Sequence, residues 1–150
     1  MTFKQIKYRD VKGSDIQKAI ELLQSSDLPS SDIDGKTQKI IVAECKEKLV
    51  AVGGIEKLGS LALIRSIAVH PEYRNNGIAS EIYHLLEKYA RDSSVKELYL
   101  ITESAKAYFQ KLGFLEKDRQ AVPHPIKQTS QFTRLCPSSA TVMFKTLSTK

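Results

Sequence analysis

The pattern of apolar and polar positions along the chain predicts a mixed α/β domain. Period-two alternation or short apolar runs, typical of strands, are found at residues 3–8, 39–45, 49–55, 61–69, 97–102, 114–116 and 140–147. Helical spacing is found over residues 15–24, from Gly77 onward, and over residues 104–112. Residues 119–139, with three of the five prolines, match no element pattern. The predicted order is therefore strand, helix, three-strand meander, helix, strand, helix, strand, loop and strand.

Turn and cap residues mark the ends of several elements. Ser14 and Gln17 have the spacing of a capping box, which predicts the start of the first helix. The charged residues 46–48 join the first two meander strands as a hairpin that lacks the preferred Asn-Gly. Gly53–Gly54 and Gly59 mark a bulge and a turn around the meander.

The composition is that of one globular domain over residues 1–150. Of the 150 residues, 41% are hydrophobic and 27% are charged, and no internal repeat or linker composition interrupts them. A chain of this length buries enough surface to fold without disulfides or metals. The longest apolar runs, residues 40–43 and 49–52, are far shorter than the roughly 20 residues needed to cross a bilayer. Since the N-terminus carries no signal sequence, the expected location is the cytoplasm, with no membrane partner.

Cysteine and histidine positions give no metal-site pattern. Cys45 and Cys136 are far apart and form no CxxC motif, so one buried free thiol is expected rather than a disulfide. His70, His84 and His124 lack metal-ligand spacing. His84 is predicted to lie on the exposed side of its helix. No metal is therefore expected.

Positive charge is concentrated at the end of the chain. Six basic residues and one acidic residue follow residue 116, which gives +5 of the formal net charge of +6. A basic surface suits an anionic partner, either nucleic acid, a phosphate ligand or a small carboxylate, or it is a solvated face with no specific ligand. Aromatic residues are not interleaved with these cations, so nucleic acid is the weakest alternative and none is expected as a partner.

The junction between the strand 61–69 and the helix that begins after Gly77 is the strongest candidate for binding chemistry. The first turn of a helix has unpaired backbone N–H groups, and its dipole favours an anion. Gly77 allows a close approach of the backbone, and Arg74 can add positive charge. The junction therefore predicts phosphate binding; the alternative is an ordinary loop in which Gly77 supplies a turn and Arg74 is solvated.

The segment Arg74-Asn75-Asn76-Gly77-Ile78-Ala79 resembles the acetyl-CoA signature Arg/Gln-x-x-Gly-x-Gly/Ala of the Gcn5-related N-acetyltransferases (GNAT). Residues 105–114, which end in Gly-Phe, are similar to a second motif of that family. The resemblance runs over about residues 3–147. It implies the GNAT fold, in which a mixed, mostly antiparallel central sheet of six to seven strands has helices on both faces and its fourth and fifth strands splay apart.

The same resemblance implies that acetyl-CoA is the cofactor and that it lies in the gap between the splayed strands. Its pantetheine arm would pair with the strand backbone at Ile67 and Val69, and the N–H near Val69 would polarise the thioester carbonyl. The amine would attack directly, without a covalent enzyme intermediate. The implied cofactor-binding residues are Ile67, Ala68, Val69, Arg74, Asn75, Asn76, Gly77, Ile78, Ala79, Ser80, Ser104 and Phe109.

A proton donor and a base remain to be assigned. Many GNAT enzymes have a tyrosine acid four residues before the Gly of Gly-Phe, where this chain has Phe109. Tyr108 is the candidate acid, although it lies one residue earlier and is rotated by about 100° on the helix; water or the substrate ammonium is the alternative donor. Glu103 is the candidate base, with Glu44 and Glu56 as alternatives. The catalytic candidates are thus Val69, Glu103 and Tyr108.

Two further resemblances bear on the acceptor. The Tyr108-Phe109 pair before Gly-Phe is similar to the acetyltransferase domain of N-acetylglutamate synthases. Residues 28–32, 63–66 and 135–140 are similar to small acetyltransferases linked to arsenic resistance. Both imply a small amino acid or a glutamate-like compound as the amine substrate.

Arginine side chains are the candidates for holding the carboxylate of such an acceptor. Arg65 and Arg134 are the predicted substrate-binding residues, and Arg119 is a further candidate, because a guanidinium binds a carboxylate through two parallel hydrogen bonds. The alternatives are acetylation of a peptide or protein amine, and a CoA-binding sensor with little turnover. GNAT proteins are often dimers, so a homodimer is compatible with the sequence, although no apolar stripe specifies one.

Overall fold

The computed structural model describes residues 6–25, 38–103, 105–129, 132 and 140–147. Within these residues the strands are β1 (Ile6–Asp10), β2 (Lys39–Cys45), β3 (Lys48–Leu58), β4 (Leu61–Val69), β5 (Glu97–Thr102), β6 (Leu115–Lys117) and β7 (Thr141–Thr146). The helices are α1 (Ile16–Ser25), α2 (Ile78–Asp92), α3 (Lys106–Lys111) and α4 (His124–Lys127). Short 3₁₀ turns lie at Gly13–Asp15, Pro71–Tyr73 and Arg119–Ala121. The predicted order of elements is confirmed, except that the segment predicted as a loop before the last strand contains the short helix α4.

The described strands form one seven-stranded sheet in the order β1-β2-β3-β4-β5-β7-β6. Five neighbouring pairs are antiparallel, and β4 and β5 are parallel. This confirms a mixed, mostly antiparallel α/β sheet. Parallel strands need a long crossover connection, and here α2 supplies it between β4 and β5.

Helices cover both faces of the sheet because its central strands are apolar on both sides. Ile40 and Val42 of β2 pack with α1, whereas Ile41 and Ala43 pack on the opposite face with α2. Ile126 of α4 packs on the α1 face against β4, β5 and β7. The predicted helices on both faces are confirmed.

The predicted start of the first helix differs from the structure. The entry to the first helix is not a capping box of Ser14 and Gln17. Instead, the Asp15 carboxylate accepts a hydrogen bond from the backbone N–H of Lys12 at 2.8 Å and another from Arg9 at 2.8 Å. A charged carboxylate is a stronger acceptor than a serine hydroxyl, and its ion pair with Arg9 ties the helix entry to β1.

The hairpin between β2 and β3 forms without Asn-Gly. Lys46 and Glu47 both have positive φ, at 52° and 67°, and lie between the paired residues Cys45 and Lys48. Positive φ at both central residues is what a tight turn needs to match the twist of its strands.

Cys45 is buried and its thiol is free, as expected for one of the two cysteines.

The predicted irregularity at Gly53 is a β-bulge shared with β4. Val52 pairs with Ala68 and Gly54 pairs with Arg65, so two residues of β4 lie opposite Gly53. A Cβ atom on Gly53 would overlap Cγ2 of Ile82, so glycine lets α2 lie directly on the sheet at this point. The predicted turn at Gly59 is also present, with φ of 69°.

The bulge lies where the sheet opens. β4 and β5 pair only between Leu61–Leu63 and Glu97–Tyr99. Beyond this point β4 stays paired with β3 as far as Val69, while β5 stays paired with β7 as far as Thr102. The two strands therefore separate toward their carboxyl ends, and the predicted splay of strands 4 and 5 is confirmed.

A cluster of polar side chains joins α2 to β7 on the face opposite α1. Glu87 accepts hydrogen bonds from Tyr83, from Lys145 at 2.8 Å and from Arg91 at 3.1 Å. Its side chain is 15% exposed. Burial raises the pKa of Glu87, but the hydrogen bonds from these three partners outweigh it and lower the pKa from 4.5 to about 2.

The variant Glu87→Gln is expected to remove a large part of the acid sensitivity of folding. The folded pKa lies below the unfolded one, so the carboxylate stabilises the fold above about pH 5 and this contribution disappears as the pH falls from about 4.5 to about 2. The shift corresponds to about 3 kcal/mol. Urea unfolding between pH 7 and pH 2.5 measures it, with Asp92→Asn in the exposed Lys88–Asp92 pair as the matched control. A variant with the same pH dependence as the wild type would contradict this assignment.

Candidate active site

The N-terminus of α2 presents backbone donors beside the opening of the sheet. Gly77 begins the helix with φ of 78°, and the first i→i−4 hydrogen bond runs from Glu81 N to Gly77 O at 3.0 Å. The N–H groups of Ile78, Ala79 and Ser80 precede that bond and have no carbonyl four residues earlier within the helix. Together with the positive end of the helix dipole, they make the start of α2 the candidate anion-binding site.

The loop between β4 and α2 is held by its own hydrogen bonds. His70 Nδ1 accepts from the backbone N–H of Glu72 at 3.1 Å. Asn76 Nδ2 donates to the carbonyls of Arg74 at 2.8 Å and Tyr73 at 3.2 Å. Residues 74–77 are nevertheless exposed. The loop is thus ordered by internal contacts, and its outer surface is accessible to a ligand.

Arg74 links this loop to the end of β4. Its Nε donates to the backbone carbonyl of Val69 at 3.0 Å. This bond ties the Arg74 side chain to the last residue of β4. Asn75, the next residue, has φ of 63° and turns the chain toward the helix. The predicted anion-binding residues of the junction are therefore brought together on one surface.

The backbone of Val69 faces the gap between β4 and β5. The next residue, His70, donates its N–H to Val50 O of β3 at 2.7 Å. Successive residues of an antiparallel strand alternate in the direction of their backbone groups, so the N–H and C=O of Val69 point away from β3. Ala68 pairs with Val52, and its side chain packs on the α1 face, whereas Ile67 packs on the α2 face.

Tyr108 and Ser80 join α3 to the first turn of α2. The Tyr108 hydroxyl and Ser80 Oγ are 2.7 Å apart. Phe109 is buried, and its ring packs edge-on against Tyr108 and Phe114, with centroid separations of 5.1 and 5.7 Å. Of the two neighbouring aromatic residues, Tyr108 therefore carries its polar group to the α2 N-terminus, while Phe109 contributes to the core.

The three glutamates proposed as bases have different surroundings. Glu103 is exposed at the end of β5. Glu44 is bound by Arg9 Nε at 3.0 Å on β2, on the far side of β3 from the gap. Glu56 of β3 is half-buried, and its Oε1 lies 3.7 Å from an Nη of Arg65. The structure therefore separates Glu44 from the candidate site.

Arg65 is buried in β4 immediately before the bulge. Its side chain is 1% exposed, and its Nε donates to Ser66 Oγ at 3.2 Å. Its side chain lies on the α1 face of the sheet. No sequence pattern predicted its contacts with Ser66 and Glu56, because the first depends on the bulge and the second on the pairing of β4 with β3. Arg119 is in the 3₁₀ turn after β6. Its Nη2 donates at 3.0 Å to the carbonyl of Ala140, just before β7, and its guanidinium lies over the ring of Phe132.

Two predicted site residues, Ser104 and Arg134, lie outside the described residues, as does Cys136. Among the residues that are described, no group of three or more His, Cys, Asp or Glu side chains is placed to hold a metal ion. No helix in the same part of the chain is long and apolar enough to cross a membrane. His84 is exposed on α2, as predicted.

Comparison with known protein families gives one match to a family model, described as the Acetyltransferase (GNAT) family, over residues 14–114. Among curated proteins, the amino-acid acetyltransferases of Escherichia coli (strain K12) and Buchnera aphidicola subsp. Acyrthosiphon pisum are each 29% identical over 79 residues. The matched segment covers 53% of this chain but 17% of each relative, so the chain matches only a small part of those proteins.

Solved structures with the same fold include N-acetylglutamate synthase from Neisseria gonorrhoeae complexed with coenzyme A and N-acetyl-glutamate. It has a TM-score of 0.81 and 13% identity, covering 95% of this chain and 35% of that one. Rv2747 from Mycobacterium tuberculosis, in complex with CoA and NLQ, has a TM-score of 0.78 and 22% identity, covering 95% and 99% of the two chains. At these identities the likeness concerns the fold.

Proposed function

The chain belongs to the GNAT family of acetyltransferases, and from this premise we propose that it transfers the acetyl group of acetyl-CoA to the amine of a small amino acid. One observation carries the proposal most directly. The opening between β4 and β5 adjoins the N-terminus of α2, so a backbone strand edge and an anion-binding site lie next to each other. An elongated ligand with a phosphate group and an amide-bearing arm matches this arrangement.

The residues present fit acetyl-CoA. The N–H groups at the start of α2 and the Arg74 guanidinium would bind its pyrophosphate. A Cβ on Gly77 would meet no protein atom within 4 Å, so glycine leaves open space at the helix start. The strand backbone at Ile67 and Val69 would face the pantetheine arm as a neighbouring strand would, with Ile67 pairing with its amides and the Val69 N–H as the candidate donor to the developing oxyanion. Acetyl-CoA supplies the activated acetyl thioester.

Two side chains at the gap are proposed to handle protons. Tyr108 would donate to the departing thiolate, and its hydrogen bond to Ser80 holds the hydroxyl at the cofactor side of the gap. Glu103, exposed at the end of β5, would accept the proton of the ammonium group, directly or through water. Glu56 is the alternative base because it lies beside Arg65.

Arg65 is proposed to bind the acceptor carboxylate. Its side chain is buried in β4 just beyond the part that pairs with β5, and one of its Nη atoms lies 3.7 Å from Glu56 Oε1. A ligand carboxylate could make two parallel, charge-assisted hydrogen bonds with the same group. The amino-acid acetyltransferases among the relatives support this acceptor class, as does the structure of Neisseria N-acetylglutamate synthase with N-acetyl-glutamate.

The experiment that tests the proposal is thiol release from acetyl-CoA across a panel of amines. The panel pairs each amino acid with its amide, and adds a lysine peptide and a simple alkylamine. We expect turnover with one or a few amino acids and at least tenfold less with their amides, because the amide lacks the carboxylate. Turnover with the lysine peptide alone would favour a peptide or protein substrate. Tight binding of acetyl-CoA without any turnover would favour a CoA-binding sensor.

The variant Tyr108→Phe is expected to lower kcat about tenfold, while the KM for acetyl-CoA stays within twofold. A general acid accelerates a reaction by more than tenfold when the leaving group is poor. A thiol with a pKa near 8.5 leaves readily without protonation, so the expected loss of rate is small. Steady-state kinetics measures it, with Tyr89→Phe on the C-terminal half of α2 as the matched control. An unchanged kcat would assign the proton to water or to the substrate ammonium.

A further inference from the structure

Ser66 has a backbone conformation that glycine adopts more readily. Its φ is 61°, and it occupies the bulge of β4, where an extra residue lies opposite Gly53. Side-chain-bearing residues other than Asn and Asp rarely adopt this conformation, and where they do it is often at a functional site. A serine at this position therefore points to a use for its hydroxyl group.

The hydroxyl contacts the side chain of the preceding residue. Arg65 Nε donates to Ser66 Oγ at 3.2 Å, while an Nη of the same guanidinium faces Glu56 Oε1 at 3.7 Å. The hydrogen bond from the bulge thus fixes the Nε edge of the planar guanidinium, and an Nη lies beside the Glu56 carboxylate of β3. A guanidinium whose orientation is already fixed loses less conformational entropy on binding a carboxylate than a mobile side chain does.

We propose that Ser66 is a positioning residue, which orients the Arg65 guanidinium for the carboxylate of the acceptor amino acid; this rests on the proposed function. The bulge bends β4 beside the gap. It also places the Ser66 hydroxyl within hydrogen-bond distance of Arg65 Nε. The acceptor carboxylate then binds a guanidinium whose orientation is already set. Ser66 itself touches no reacting atom and acts through Arg65.

Two substitutions separate the hydroxyl from the backbone. Ser66→Gly removes the hydroxyl and makes the positive φ easier to adopt, whereas Ser66→Ala removes the hydroxyl and keeps the strain. If Ser66 orients Arg65, both variants raise the KM for the amino acid about tenfold, while kcat and the KM for acetyl-CoA stay within twofold. Ser66→Gly should melt at or above the wild-type temperature.

A purely structural role for Ser66 gives a different result. In that case Ser66→Gly has the wild-type KM for the amino acid, because glycine forms the bulge at least as well, and the inference is overturned. The glycine variant also keeps the test valid if Ser66→Ala fails to fold.

An independent measurement concerns the hydrogen bond itself. The ¹H–¹⁵N signal of Arg65 Nε should exchange slowly with water in the wild type and at least tenfold faster in Ser66→Gly; equal exchange rates would overturn the positioning role. A wild-type protein that acetylates no amino acid would instead refute the proposed function. Turnover with an unaltered KM in Ser66→Gly would refute this inference alone.

Discussion

Replacement of Gly77 by valine is expected to lower kcat/KM for acetyl-CoA on the order of 100-fold without unfolding the protein. Gly77 has φ of 78°, and a Cβ there would project into space with no protein atom within 4 Å. The added side chain would occupy the approach to the N–H donors of α2. Hydrogen bonds to a charged group contribute about 1.5–3 kcal/mol each, so the loss of one or two accounts for a change of this size.

The matched control is Gly59→Val. Gly59 also has positive φ, at 69°, and also has no protein atom within 4 Å of a Cβ, but it lies in the turn between β3 and β4, at the opposite end of β4 from the gap. Both variants carry the same backbone strain, about 1–2 kcal/mol. Thermal unfolding should therefore show similar losses, whereas only the Gly77 variant loses affinity for acetyl-CoA. Equal kinetics in the two variants would exclude the helix start as the cofactor site.

The elements around the site could be predicted because their signals are local. β4 and β5 have the predicted bounds, 61–69 and 97–102, since each is a short run of apolar residues with turn residues on both sides. The junction at Gly77 combines a change of period from strand to helix with a glycine that has positive φ. The family resemblance was carried by this junction together with the second motif at residues 105–114.

Contacts across strands could not be predicted in the same way. Nothing in a serine signals a positive φ, so the position of the bulge at Ser66 follows only from the pairing of β3 with β4. The contact of Arg65 with Glu56 likewise depends on strand register. Between residues 119 and 129, the structure has one 3₁₀ turn and the four-residue α4, both too short to show a period.

The bond between Tyr108 and Ser80 illustrates a limit of reasoning from helical position. Tyr108 is rotated away from the site of the family's usual tyrosine, but its side chain is long enough to reach α2 from there. Phe109 fills the core beside Phe114 instead. The hydroxyl group near α2 therefore comes from Tyr108, whereas the position of the motif's tyrosine is occupied by a core residue, Phe109.

The second large effect is expected for Arg65→Met, which should lower kcat/KM for the acceptor amino acid at least about 100-fold while the KM for acetyl-CoA stays unchanged. A carboxylate bound by a guanidinium makes two charge-assisted hydrogen bonds, worth about 1.5–3 kcal/mol each. Methionine has a similar length and no donor. Steady-state kinetics with both substrates varied distinguishes the acceptor from the cofactor.

Loss of a buried charge can also weaken the fold, so the variant needs two controls. Arg9→Met removes an arginine of β1 that binds two carboxylates, those of Asp15 and Glu44, and that lies three places from β4 in the sheet order. It should lower stability and leave kcat/KM unchanged. The double variant Arg65→Met with Glu56→Gln removes both charges of the pair, so it should regain stability relative to Arg65→Met but not acceptor binding. Wild-type acceptor kinetics in Arg65→Met would move carboxylate recognition to another cation, and Arg119→Met is the variant that would then identify it.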